Sequence, residues 1–210
     1  MSYYYWQKAI DPKVCEDIVQ EFNDESELKA DTGNYLGNDS LYPEEIFRMK
    51  QEDEWDYEKN APKSSEYGKI RKTKLNWLQK DHSMNDILLK YVLETNQKVW
   101  KYNLTKFTPC QFGKYELDNF YGWHQDSGYS YAETEVETRK LSLTLQLSNH
   151  LDYEGGTFEF WNGLKKPIIP PILEQGSILI FDSRMWHQVT PITKGIRYSL
   201  VSWVLGSPFV

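Results

Sequence analysis

Long apolar runs are missing from this chain of 210 residues, and with them any stretch able to cross a bilayer as a helix. Cysteine is scarce. Cys15 and Cys110 stand far apart and neither has a neighbour at metal-ligand spacing, which argues against a disulfide-stapled scaffold or a cysteine-zinc module and fits a reducing compartment. Positive charge is short as well. Lysine and arginine total 24 against 31 aspartates and glutamates, a net charge of −7 that disfavours binding nucleic acid by neutralising phosphates. The opening Met1-Ser2-Tyr3-Tyr4-Tyr5-Trp6 lacks the basic-then-apolar order of a secretion signal. Neither an internal repeat nor a low-complexity tract is evident. These absences predict a soluble, cytoplasmic protein with neither a membrane nor a nucleic-acid partner.

Aromatic residues, by contrast, make up 15% of the chain, with eight Trp and fifteen Tyr, so it can fill a substantial core. The length fits one compact domain. Tyr3 to Trp6 reads as a short opening strand. Asp11 and Pro12 then mark a helix start, and Val14, Cys15, Ile18, Val19 and Phe22 recur at helical spacing up to Asn23-Asp24. From about 25 to 68 the periodicity dissolves into a long surface excursion, with a short helix expected near Glu44 to Lys50. It is either a solvated face or a substrate-recognition loop. Ile70 to Leu78 reads as a strand. Ser83 then caps a second helix, Met84 to about Tyr102.

After Asn103 the chain changes to short strand-like runs: Lys106 to Tyr115, Gly122 to Gln125, Lys140 to Leu147, Gly156 to Trp161, Ser177 to Phe181, Gln188 to Thr190 and Arg197 to Leu205. The expected class is α+β, mainly β: a support region of residues 1–105 packed on a β core of 106–210. Leu141-Ser142-Leu143-Thr144-Leu145-Gln146-Leu147 alternates strictly. Its leucine face must be buried, against the helices by this reading. Its polar face either meets solvent or lines a cavity between two sheets.

The chemistry centres on Tyr121-Gly122-Trp123-His124-Gln125-Asp126. A His and an Asp two apart on a strand share a face and can grip one metal ion. His187 follows an apolar run and a short turn, and two imidazoles plus one carboxylate form the ligand set of non-haem iron(II) oxygenases. Arg197, ten residues on, shares a strand face with Ser199, Val201 and Trp203. A buried arginine there needs an anion, either a bound carboxylate or a structural Asp or Glu. His82 and His150 lack such a setting and read as surface residues.

These residues carry a family resemblance. Tyr115 and Tyr121 precede His124-Gln125-Asp126; Leu143 to Leu147 lead to Gly155-Gly156-Thr157; His187-Gln188-Val189-Thr190-Pro191-Ile192 leads to Arg197-Tyr198-Ser199. In that order and spacing, roughly Phe107 to Leu205 resembles the Fe(II)/2-oxoglutarate-dependent dioxygenases, in their prolyl 4-hydroxylase-like branch. The resemblance implies a double-stranded β-helix (jelly roll) with iron held by His124, Asp126 and His187. It further implies 2-oxoglutarate bound by Arg197 with help from Ser199 and Tyr115, and Thr144, Gln146 and Trp203 lining the pocket. Dioxygen would be the second co-substrate, with ascorbate in support. The implied reaction hydroxylates a C–H bond while decarboxylating 2-oxoglutarate to succinate. The substrate is a prolyl or similar residue in a peptide or protein, or else a small molecule such as a free amino acid. A non-catalytic 2-oxoglutarate-binding protein would lack one of the ligands or the arginine, and all four are present. A nucleic-acid demethylase is disfavoured by the charge.

Overall fold

The computed structural model describes residues 3–24, 28–31, 71–127, 137–161, 163 and 166–208. Strand β1 (Tyr3–Trp6) and helix α1 (Pro12–Phe22) begin where the sequence places them. The Asp11 carboxylate accepts the Lys13 amide at 2.8 Å, and Pro12 sits in the first turn, where no amide donor is needed.

Helix α2 (Ser83–Lys98) departs from expectation at both ends. His82 is the cap rather than Ser83, its Nδ1 accepting the Met84 amide at 3.2 Å, so this half-buried histidine is more than a surface residue. At the other end the Lys101 amide folds back on the Asn96 carbonyl at 2.7 Å, and Lys101 adopts φ 58°, a left-handed turn that stops the helix short of Tyr102.

Among the described residues the strands are β2 (Lys29–Asp31), β3 (Arg71–Trp77), β4 (Leu104–Phe107), β5 (Gln111–Tyr115), β6 (Phe120–His124), β7 (Thr138–Gln146), β8 (Tyr153–Gly155), β9 (Phe158–Phe160), β10 (Ile178–Asp182), β11 (His187–Val189), β12 (Ile192–Gly195) and β13 (Arg197–Gly206). The run expected as one strand from Lys106 to Tyr115 is two, separated around Pro109, which has no amide to offer a ladder. Gly155 and Gly156 take φ of 78° and 59° and separate β8 from β9. The expected helix near Glu44 to Lys50 lies outside the described residues, as does most of the excursion. Its described part, β2, pairs with β3.

All strand pairs are antiparallel, in the order β1-β10-β7-β13-β5-β3-β6-β11-β9, with β4 joined to β13 and β12 paired with β8. β3 is the corner. Lys74 to Trp77 pair with β5, whereas Arg71 and Lys72 pair with β6, so one strand passes from the larger sheet into the smaller. The sheet curls around a hollow, giving the expected jelly roll. β1 and β3, from the first half of the chain, are hydrogen-bonded into these sheets rather than laid upon them.

Two apolar clusters result. Behind the larger sheet, Cys15, Ile18 and Phe22 of α1 and Met84, Leu88 and Val92 of α2 pack on Leu141, Leu143, Leu145, Leu147 and Leu200. The leucine face of β7 therefore meets the helices. Between the sheets lie Tyr115, Phe158, Phe160, Leu179, Phe181 and Val189. Both cysteines are buried and unpaired, and burial raises their thiols to about 11 (Cys15) and about 12 (Cys110), which suppresses the reactive thiolate. Among the described residues no helix is long and apolar enough to cross a membrane.

Candidate metal and carboxylate site

His124 ends β6 and His187 begins β11, and the two are direct cross-strand partners. Their ring centroids are 4.1 Å apart. The next aligned pair is Val189 with Tyr121, two residues along β11 but three along β6. This bulge turns Tyr121 and His124 to the same side although they are three apart. Their rings stack, with centroids 3.5 Å apart and an interplanar angle of 12°. Asp126 reaches the site differently from the strand alternation expected of it. β6 has already ended, and the Asp126 and Ser127 amides donate to the Ser183 carbonyl at 3.0 and 2.9 Å. The turn before β11 thus holds the carboxylate in place.

Each imidazole is oriented from behind. His124 Nδ1 lies 2.8 Å from the Gly122 carbonyl, and His187 Nδ1 lies 2.9 Å from the Met185 carbonyl. A carbonyl can only accept, so each Nδ1 carries a proton and each Nε2 is the nitrogen turned to the centre. There His124 Nε2 lies 3.6 Å from Asp126 Oδ1, and His187 Nε2 lies 3.4 Å from Asp126 Oδ2. One donor atom from each of the three residues falls within 4.8 Å of the others. Burial, reinforced by the neighbouring His124, depresses His187 to about 4, leaving it neutral at pH 7. Burial opposes ionisation of Asp126, but the neighbouring His187 and His124 outweigh it and hold the carboxyl below its usual range. A buried carboxylate facing two imidazole Nε2 atoms fits a divalent ion with open positions.

Arg197 begins β13 opposite Tyr115 on β5 and is 2% exposed. Its guanidinium lies 5.5 Å from the Tyr115 ring and donates weakly to the Ser199 hydroxyl at 3.5 Å. Among the described residues no carboxylate pairs with it, so the structural ion pair left open by the sequence is not found there. Two glycines make room around it. A Cβ on Gly156 would meet Arg197 Cδ at 3.0 Å and would clash with Ile192 Cδ1. A Cβ on Gly113 would stand 3.3 Å from the Tyr115 ring and 3.6 Å from the Ser199 hydroxyl.

One small cavity is lined by His124, Asp126, His187, Arg197, Ser199, Tyr115, Thr144 and Trp203 together. The polar face of β7 therefore lines a cavity at Thr144. Gln146 is drawn off: its amide donates to the Tyr153 hydroxyl at 2.7 Å and the Ser148 carbonyl at 3.2 Å, and it is not among the cavity walls. The sequence reading gave no role to Arg71, whose guanidinium sits 4.5 Å from the Tyr121 ring in the same cavity and donates to Gln111 Oε1 at 2.9 Å. The usable signal was alternation, since Arg71, Thr73 and Leu75 share the buried face of β3. Phe158, Phe181 and Val189 complete an apolar wall.

Residues 110–205 match the family described as the 2OG-Fe(II) oxygenase superfamily. A PKHD-type hydroxylase of Synechococcus sp. (strain CC9902) is 38% identical over 91 residues, covering 42% of this chain and 37% of that protein. One from Alteromonas mediterranea is 31% identical over 100 residues, covering 47% and 43%. The chain thus aligns with less than half the length of these curated relatives. Over nearly the whole chain the fold is similar to a viral collagen prolyl hydroxylase of Paramecium Bursaria Chlorella virus-1, with a TM-score of 0.63 and 16% identity over 98% of this chain and 97% of that one. A Pseudomonas putida prolyl-4-hydroxylase gives 0.60 and 18% over 99% and 94%. The matched segment, residues 110–205, is thus similar to the 2OG-Fe(II) oxygenase superfamily.

Proposed function

We propose that this protein is an iron(II)- and 2-oxoglutarate-dependent hydroxylase of prolyl residues in a peptide or protein. The observation that carries the reading is one cavity holding both a His-Asp-His cluster and a buried guanidinium for which the described residues supply no carboxylate. The PKHD-type hydroxylases at 38% and 31% identity support the same class of reaction.

In this reading His124 and His187, through Nε2, and Asp126, through a carboxylate oxygen, would hold a ferrous ion. Bound there with 2-oxoglutarate and dioxygen, the ion supplies an oxidant able to hydroxylate an unactivated C–H bond, with succinate and carbon dioxide released. Arg197 receives the distal carboxylate of 2-oxoglutarate in a charge-assisted pair, with the Ser199 hydroxyl beside it and the Tyr115 ring as its wall. Thr144 and Trp203 border the co-substrate, and Phe158, Phe181 and Val189 keep water from it. Gln146 acts at one remove, by fixing Tyr153. Residues 1–105 brace a catalytic core of 106–210 within one domain, and ascorbate sustains turnover.

The test is to incubate iron-loaded protein with 2-oxoglutarate and a proline-rich peptide library. Succinate should form, and mass spectrometry should find peptides heavier by one oxygen atom. Succinate with free proline but with no peptide would move the substrate to small molecules. No succinate under any condition would overturn the reading.

A further inference from the structure

The two imidazoles of the cluster are steadied by different means. The hydrogen bond from Nδ1 fixes where one edge of each ring points, but the ring can still rock about that bond. A flat neighbour removes the remaining freedom. For His187 the neighbours are apolar: Phe158 lies parallel to within 16° with centroids 5.4 Å apart, and Phe181 stands edge-on at 4.7 Å. For His124 the neighbour is Tyr121, parallel to within 12° at only 3.5 Å.

Tyr121 is held in turn from the corner strand. Arg71 of β3 is its direct cross-strand partner, and the guanidinium carbon lies 4.5 Å from the centre of the phenol ring. His124 fills one face of that ring, so the guanidinium takes the other, in a cation–π contact. Arg71 is buried and anchored: its Nη2 donates at 2.9 Å to Oε1 of Gln111, a buried residue of β5. The contacts Gln111, Arg71, Tyr121, His124 therefore run from the larger sheet, through the corner, to a ligand on the smaller sheet.

We propose that Tyr121, braced by Arg71, is a positioning residue that fixes the ring plane of His124 with Nε2 aimed at the metal, and so raises the affinity of the site for a divalent ion. The inference rests on the reading of His124, Asp126 and His187 as ligands. A metal–imidazole bond lies in the ring plane, so a rocking ring costs affinity. Groups that orient a ligand typically change that affinity by about 10- to 100-fold. Tyr121 touches the imidazole and has the larger effect. Arg71 acts through Tyr121 and has the smaller one. The ring face does the work, not the hydroxyl.

The experiment is a titration of the metal-free full chain with Mn(II), read as loss of the free-ion EPR signal. Tyr121→Leu should weaken Mn(II) binding about 10-fold, whereas Tyr121→Phe, which keeps the ring, should stay within about 3-fold of the parent. Arg71→Met should weaken it about 3-fold. The visible absorption of bound Co(II) reports ligand geometry, and at saturating metal it should change in Tyr121→Leu and not in Tyr121→Phe. A packing role alone would lower the melting temperature of the metal-free variants and leave Mn(II) affinity and the Co(II) spectrum of the folded protein as in the parent. If the parent binds neither ion, the ligand assignment fails. If it binds both, and Tyr121→Leu matches it in affinity and spectrum, the positioning role fails and the ligand assignment stands. Should Tyr121→Leu not fold, a parental affinity and spectrum in Arg71→Met overturns the bracing. Tighter binding in Arg71→Met, or a loss in Tyr121→Phe as large as in Tyr121→Leu, overturns it as well.

Discussion

The two faces of β7 are made by alternate residues of one strand, yet they work under different rules. Leu141, Leu143, Leu145 and Leu147 contribute to the apolar contact with α1 and α2. There the requirement is volume and apolarity, and many sequences would satisfy it. Ser142, Thr144 and Gln146 face the other way, and each has a particular partner or place: the Ser183 hydroxyl, the cavity wall and the Tyr153 hydroxyl. On this face a change of one atom type matters, because a buried polar group without its partner costs about 1–3 kcal/mol. One face gives stability and the other gives chemistry, and substitutions should separate them.

The sharpest separation is at the metal cluster. His124→Ala and Asp126→Ala should each abolish ferrous-ion binding and succinate formation while the chain stays folded by circular dichroism. Full activity in either would mean that the cluster is not a ligand set. Arg197→Ala comes next. It should weaken 2-oxoglutarate binding by about 2–5 kcal/mol and leave metal affinity within about 3-fold. An unchanged Michaelis constant for 2-oxoglutarate would make Arg197 structural.

On the leucine face, Leu145, which is fully buried, should behave in the opposite way. Leu145→Ala should cost about 2–5 kcal/mol in urea unfolding, with Mn(II) and 2-oxoglutarate affinities unchanged at a temperature where the variant is folded. Affinities that fell in step with stability would show the two faces to be coupled.

The smallest effect is a pH dependence of the metal-free protein. His187 titrates near 4 when folded and near 6.5 when unfolded, so the unfolded chain takes up the proton first on acidification. Its contribution is complete above about 6.5 and is lost as the pH falls towards 4, by at most about 3 kcal/mol. Urea midpoints should drop between pH 6.5 and 5, a window above the carboxylate range, and His187→Gln should flatten that slope. An equal slope in the variant would place the titrating group elsewhere.

These contrasts also explain what could be read in advance. The leucine face was legible because strict alternation over seven residues leaves one arrangement. The identities of His124, Asp126, His187 and Arg197 were legible because few chemistries need that set in that order. The route of Asp126 was not, since it depends on a bulge in β6 and on the Ser183 carbonyl, neither of which has a composition signal. β8 and β12 escaped notice because each is only three or four residues long and their pairing turns on backbone conformation, with Gly155 at φ 78° and Gly195 at 71°. Gln146 was placed on the correct face, but its amide is taken by Tyr153, a partner that no local pattern could name. Arg71 and the Ser142–Ser183 pair come from segments distant in sequence and converge only in the folded chain.

Equilibrium dialysis of ferrous ion under argon, with and without 2-oxoglutarate, probes the convergence of the three ligands and the guanidinium most directly. The parent chain should retain one iron per molecule, and 2-oxoglutarate should tighten that binding in the parent but not in Arg197→Ala. Iron held equally well by Asp126→Ala, or none held by the parent, would contradict it.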